Sequence, residues 1–134
     1  MAGSKKILFV CVENAGRSQM AEAFFRKYAP KGYEPASAGT KPVPAINHIA
    51  AEAMKEIGID MSQQKPKVLT SEIITDSILS VNMGCMDKTE CPTVFMKNSL
   101  DWNIEDPKGK SLDQVRKIRD DIELKVRNLC KTLE

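Results

Sequence analysis

Ile7-Leu8-Phe9-Val10 is an apolar, β-prone run that leads directly into Cys11-Val12-Glu13-Asn14-Ala15-Gly16-Arg17-Ser18, and Gln19 to Phe25 continues in residues of helical composition. A chain that passes from strand to helix through residues 11 to 17 turns with backbone N–H groups, and the positive end of the new helix, aimed at one small volume. Such a volume holds an anion. Cys11 opens the turn and Arg17 closes it. The loop dipoles and the guanidinium favour the thiolate of a cysteine so placed, and arginine forks onto two oxygens of a tetrahedral anion where lysine cannot. Gly16 is expected where the loop turns tightly, and Ser18 offers a hydroxyl to the sulfur. The loop therefore reads as nucleophilic attack by sulfur on a phosphate-like ion, with Val12, Glu13, Asn14, Ala15, Gly16, Arg17 and Ser18 holding it. A small core cysteine with an arginine nearby by chance is the plainer alternative. The strand before and the helix after favour the catalytic reading.

The rest of the composition narrows the setting. At 134 residues the chain is long enough for one domain with a real core, expected to span residues 1–134. Hydrophobic residues make up 42% and charged residues 28%, as in soluble globular proteins. Net charge is +2 with the signs interspersed, which offers no electrostatic case for a nucleic-acid or membrane partner. Arg26, Lys27 and Lys31 beside Tyr28 and Tyr33 read as a solvated helix end, because no basic stripe continues from them. The longest apolar run, Ile7 to Val12, is too short to span a bilayer. No leader peptide is read before it, so the cytoplasm is the expected location. In that reducing compartment Cys11, Cys85, Cys91 and Cys130 are better read as catalytic or metal-binding than as structural bridges.

Strand and helix signals alternate along the chain. Glu34 to Ser37 reads as a second strand, Pro44 to Ile57 as a helix with proline in its first turn and Gly58 past its end, and Thr70 to Thr75 as a short helix. Ile78 to Met83 reads as a third strand, Gly84 to Asn98 as a loop, and Ser99 to Ile104 as a short fourth strand. Ser111 opens the last helix, with Leu112, Val115, Ile118, Ile122, Val126 and Leu129 at helical spacing. Alternation of this kind implies an α/β fold: a parallel sheet wrapped by helices, with ligands outside the carboxyl ends of its strands. Cys11 and Cys85 fall at the ends of strands one and three, so both thiols can face one pocket.

Cys85 and Cys91 lie six positions apart in Asn82-Met83-Gly84-Cys85-Met86-Asp87-Lys88-Thr89-Glu90-Cys91-Pro92. Two thiols on such a loop can close a disulfide or pass one on by exchange. A zinc site is the weaker alternative, since CxxC spacing is missing and the one histidine, His48, sits in an expected helix. Two unrelated buried thiols are the third alternative. Cys130 reads as a bystander of the last helix and His48 as a helix-face residue.

Across nearly its whole length the chain resembles the thioredoxin-coupled arsenate reductases built on the low-molecular-weight protein tyrosine phosphatase fold. The likeness rests on Val10 to Phe24, on Ser37-Ala38-Gly39-Thr40, on Cys85 with Cys91-Pro92, and on Asp101-Trp102 followed by Asp106-Pro107. Phosphatases of the same fold share the Cys-x5-Arg loop but usually continue into Arg-Ser-Pro and carry Asp-Pro-Tyr. Here Gln19 stands in place of that proline and Lys108 follows Pro107.

The resemblance implies a single-domain three-layer sandwich around a four-stranded parallel sheet, and a three-thiol relay. Cys11 attacks arsenate held by the loop amides and Arg17, with Asp106 as general acid. Cys85 then attacks Cys11, releasing arsenite, and Cys91 attacks Cys85, carrying the disulfide to thioredoxin. No cofactor is expected to be bound, the electrons coming from thioredoxin, and phosphate or sulfate are expected competitors. Some relatives bind potassium near the loop, and Asn14, Glu22 and Ser37 match part of that pattern. Lys65 and Lys67 stand where further oxygen ligands would be, so a lysine ammonium replaces the ion in this reading and no metal is expected. The alternatives are a phosphatase hydrolysing phosphate monoesters through Cys11, Arg17 and Asp106 alone, and a non-enzymatic thiol switch.

Overall fold

The computed structural model describes residues 5–84 and 99–134. Strand β1 (Lys5–Cys11) is buried over its last five residues, as befits a strand covered on both faces and therefore apolar throughout. It pairs in parallel with β2 (Tyr33–Gly39) on one side and with β3 (Ser77–Asn82) on the other. The short β4 (Ser99–Asp101) adds to β3, giving a four-stranded parallel sheet of order β2-β1-β3-β4. Register sets Cys11 opposite Gly39, and Val10 opposite both Ala38 and Asn82. The carboxyl ends of the three strands therefore finish together, at the edge where ligands bind in such sheets.

Alternation along β1 divides the core into two layers. Ile7, Phe9 and Cys11 pack with side chains of α1 (Arg17–Tyr28), α2 (His48–Lys55) and α4 (Leu112–Thr132), among them Phe24, Phe25, Met54, Ile122 and Val126. Leu8 and Val10 face the other way, against Ala38, Leu69 and the isoleucines of α3 (Ser71–Thr75). The three-layer α/β sandwich read from the sequence is the observed architecture. Phe9 lies 5.8 Å from Phe25 and 5.9 Å from Trp102, ring to ring. Each such side chain contributes about 1.5–3 kcal/mol on burial.

Two element boundaries differ from expectation by more than two residues. The helix expected from Pro44 starts at His48, because Asn47 caps it: its side-chain oxygen accepts from the N–H groups of Ile49 at 2.9 Å and Ala50 at 3.1 Å. The fourth strand stops at Asp101 rather than Ile104, because its partner β3 ends at Asn82. Helix α4 follows the sequence pattern, with Ser111 and Gln114 forming a capping box. His48 is exposed on α2, and Cys130 is buried in the core, where desolvation pushes its thiol up. No helix among the described residues is long and apolar enough to cross a membrane.

Helices α2 and α4 are pinned by arginines. The buried Arg119 donates to the Ala53 carbonyl at 2.8 Å and to Glu56 at 3.2 Å, and Arg116 forks onto Glu56 at 2.9 and 2.6 Å. The Arg116 hydrogen bonds hold the Glu56 carboxyl below its ordinary value. A carboxyl lowered on folding stabilises the protein above its unfolded-state pKa, about 4.3 for glutamate, and the contribution disappears as pH falls through the folded value. Glu56→Gln is therefore expected to lower the melting temperature at pH 7 and to melt with the wild type once the pH falls well below 4.3, about the unfolded glutamate value, as followed by circular dichroism.

Candidate active site

The loop between β1 and α1 is anchored by its carbonyls. Those of Cys11, Val12, Glu13 and Ala15 accept from the N–H groups of Thr40, Lys41, Val43 and Asn47 at 3.3, 2.8, 3.2 and 2.9 Å. In a trans peptide the next N–H points opposite to the carbonyl. The amides of Val12, Glu13, Asn14 and Gly16 therefore face away from the 40–47 segment. The Gly16 carbonyl accepts from Met20 at 2.9 Å in the first turn of α1, and no side chain caps that helix. Its N-terminal donors are left toward the loop.

Asn14 holds this arrangement. Its φ of 52° places it in the left-handed region, which asparagine tolerates better than most residues. Its side-chain oxygen accepts from the Lys67 backbone N–H at 2.8 Å and from Gln19 Nε2 at 3.0 Å, so its Nδ2 is the group that donates to Ser18 Oγ at 2.7 Å. Ser18 Oγ lies 2.8 Å from Cys11 Sγ. Having accepted from Asn14, the hydroxyl is free to donate its hydrogen to the sulfur. Gln19 is fully buried and also donates to the Asn14 and Lys65 carbonyls at 3.0 and 2.9 Å, while Gln64 donates to it at 2.8 Å.

Gly16 was expected to serve the tight turn, but its φ is −129° and the left-handed residue is Asn14. Glycine is needed at 16 for space. A Cβ there would come within 2.6 Å of Pro107 Cγ.

Beneath the loop lies the carboxylate of Glu22, buried and engaged by Ser37 Oγ at 2.5 Å, Arg26 at 2.7 Å and the Lys67 ammonium at 3.8 Å. With two cationic side chains on one carboxylate, the donor set does not fit a potassium ion. Lys65 contributes its carbonyl, which accepts from Gln19 and from the Lys67 ammonium. Among the described residues no group of three or more His, Cys, Asp or Glu is placed to hold a metal.

Arg17 projects from the first turn of α1, and its side chain is 10% exposed. One Nη donates to the Ile104 carbonyl at 3.2 Å and the other lies 3.7 Å from Asp106 Oδ2. The flat guanidinium rests over Gly84, just beyond β3. A Cβ at 84 would lie 2.6 Å from Arg17 Cζ, and the φ of 128° itself favours glycine. Asp106 accepts the Lys108 N–H at 3.0 Å through its other oxygen.

Cys11, Ala15, Gly16, Arg17 and Asp106 thus line one cavity of about 20 Å³, closed by Glu13, Asn47, Pro107 and Lys108. It has room for a small group. A larger groove of about 1230 Å³ runs along α2 from Pro44 to Pro66 and contains no cysteine. Lys108 reaches Glu13 at 2.8 Å, and that hydrogen bond raises the lysine above its ordinary value. Cys85 and Cys91 lie outside the described residues. Sequence reasoning missed Asn47, although an asparagine before an apolar helical run is a cap signal. Nothing local marked Ile104, whose backbone is what serves.

A family model described as low molecular weight phosphotyrosine protein phosphatase matches residues 6–134. The arsenate reductase of Brevibacillus brevis is 36% identical over 135 residues, covering 100% of both chains. Among solved structures, the thioredoxin-dependent arsenate reductase of Corynebacterium glutamicum superposes with a TM-score of 0.82 at 35% identity, over 98% of this chain and 62% of that one. This chain thus spans less than two thirds of that protein. The YwlE arginine phosphatase of Geobacillus stearothermophilus superposes with a TM-score of 0.86 at 26% identity, over 96% and 92% of the two chains.

Replacing Ser18 by alanine removes the only hydroxyl within hydrogen-bond reach of the sulfur among the described residues, so alkylation of Cys11 by iodoacetamide at pH 7 should slow severalfold. Gly84→Ala should push Arg17 off its seat and weaken phosphate binding by about tenfold or more, or 1.4 kcal/mol, measured by titration calorimetry. The melting temperatures of both variants check that they fold.

Proposed function

This chain belongs to the low molecular weight phosphotyrosine protein phosphatase family, and we propose that within it the chain is an arsenate reductase, using a Cys11–Cys85–Cys91 relay that thioredoxin regenerates. The observation that carries this reading is the full-length, 36% identity to a protein named arsenate reductase. It stands beside a site in which Cys11, Arg17 and Asp106 converge on one small cavity.

Arsenate enters with its oxygens toward the loop amides and the Arg17 guanidinium, which match a tetrahedral anion. The Cys11 thiolate, hydrogen-bonded by Ser18, attacks arsenic. Asp106 donates a proton to the departing hydroxide, which leaves as water, and an S–As bond remains. The Cys85 thiolate then attacks Cys11 sulfur. The S–As bond breaks with its electron pair going to arsenic, arsenite departs, and a Cys11–Cys85 disulfide is left. Cys91 attacks Cys85 in turn, returning Cys11 as a thiolate and leaving a Cys85–Cys91 disulfide for thioredoxin to reduce. No cofactor is bound in this scheme. It needs a reducing compartment, and we take the protein to be cytoplasmic and residues 1–134 to act as one domain. Phosphate and sulfate compete for the loop.

Phosphomonoester hydrolysis is the second reading, and membership of the phosphotyrosine protein phosphatase family is consistent with it. It needs Cys11, Arg17 and Asp106 but neither Cys85 nor Cys91, and the thiols separate the two. In a single turnover Cys91→Ser is expected to release up to one arsenite per enzyme, trap a Cys11–Cys85 disulfide and fail to cycle with thioredoxin. Cys85→Ser is expected to release essentially none, and Cys11→Ser to lose aryl phosphate hydrolysis as well. An arsenite count with peptide mapping of the oxidised proteins reads these outcomes. Normal cycling of both Cys85→Ser and Cys91→Ser would leave the phosphatase reading, or an external thiol, as the better account.

A further inference from the structure

Resting on the arsenate reading, we propose that Glu13 and Lys108 form a clasp over the mouth of the anion cavity that admits a small inorganic oxyanion and disfavours phosphate monoesters. Glu13 belongs to the loop beneath the cavity, and Lys108 to the strip carrying the acid Asp106. The two are 95 positions apart in sequence and meet at 2.8 Å, Lys108 Nζ donating to Glu13 Oε2.

Two further contacts hold the strip in place. Pro107 seats on Gly16 so closely that a side chain there would have to displace it. The Asp106 carboxylate accepts the Lys108 N–H at 3.0 Å, tying the acid and the clasp into one turn. Opening the clasp therefore frees the entrance without disturbing the path of the backbone.

The chemistry of departure makes this contact selective. A nucleophile and its leaving group lie roughly in line about the central atom, so with Cys11 at the floor the leaving oxygen points outward, toward Asp106. From arsenate that oxygen departs as water, which has no substituent to carry past the clasp. From a monoester it carries carbon, and the substituent must pass out between Glu13 and Lys108.

The pair is electrostatic as well as steric. An unpaired Glu13 carboxylate on the oxyanion loop would repel the substrate, and Lys108 cancels that charge. Lys108 is 68% exposed and Glu13 30%, so the clasp is weak and screened by salt. Discrimination of about two- to fivefold is the scale such an exposed pair supports.

The experiment compares the ratio of kcat/KM for para-nitrophenyl phosphate to kcat/KM for arsenate, with thioredoxin, its reductase and NADPH supplied for the latter. In Lys108→Ala the ratio is expected to rise about two- to fivefold, while Lys108→Arg, which keeps the pair, retains the wild-type ratio. Added sodium chloride should raise the ratio in the wild type and leave that of Lys108→Ala flat, a readout that a merely structural role for Lys108 would not move. An unchanged ratio in a Lys108→Ala protein that melts like the wild type, with the wild type still releasing arsenite, overturns the clasp and leaves the arsenate reading intact. A wild type that hydrolyses the aryl phosphate but releases no arsenite overturns both.

Discussion

The site depends on the backbone of one residue. Asn14 turns into the left-handed region, a conformation that sterics disfavour for any residue with a Cβ. Its side chain holds it there: the oxygen takes the Lys67 amide and the amide nitrogen reaches Ser18. With Asn14 so held, the carbonyls on either side of it face the 40–47 segment and the intervening amides face away. Turning the loop amides away from the 40–47 segment places Asn14 in a disfavoured conformation, and a side-chain network meets that cost.

That network is buried, which raises both its strength and its risk. Asn14, Ser18, Gln19, Glu22 and Ser37 are all buried, yet no buried side-chain nitrogen or oxygen among the described residues lacks a hydrogen-bond partner. Glu22 would be untenable alone at that depth. Ser37 from β2, Arg26 one turn along α1 and Lys67 share its charge. The ammonium of Lys67 and the backbone N–H of the same residue thus serve two levels of one support, the carboxylate below and Asn14 above.

Phosphatase and reductase chemistry share the first step on such a scaffold. They part at the adduct, because arsenic(V) accepts two electrons from a second thiol whereas phosphorus(V) awaits water. In the proposed mechanism the described geometry serves the shared step. Arg17 touches Ile104, approaches Asp106 and lies over Gly84, so the guanidinium borders the backbone just beyond β3.

The sequence alone determined the strand-loop-helix around Cys11, the parallel sheet and the face of α4 that packs inward, because these follow from local periodicity and caps that a few adjacent residues carry. It also brought Cys11 and Arg17 forward as partners, and the family resemblance added Asp106. It misassigned Gly16, reading a tight turn where the structure needs clearance for Pro107. Only the tertiary structure decided that Lys67 reaches Asn14 and Glu22, that Gly84 seats Arg17, and that Lys108 meets Glu13 across 95 positions. Those contacts exist because parallel strands deliver distant segments to one edge of the sheet, and a contact formed by register has no signature in the residues on either side of it.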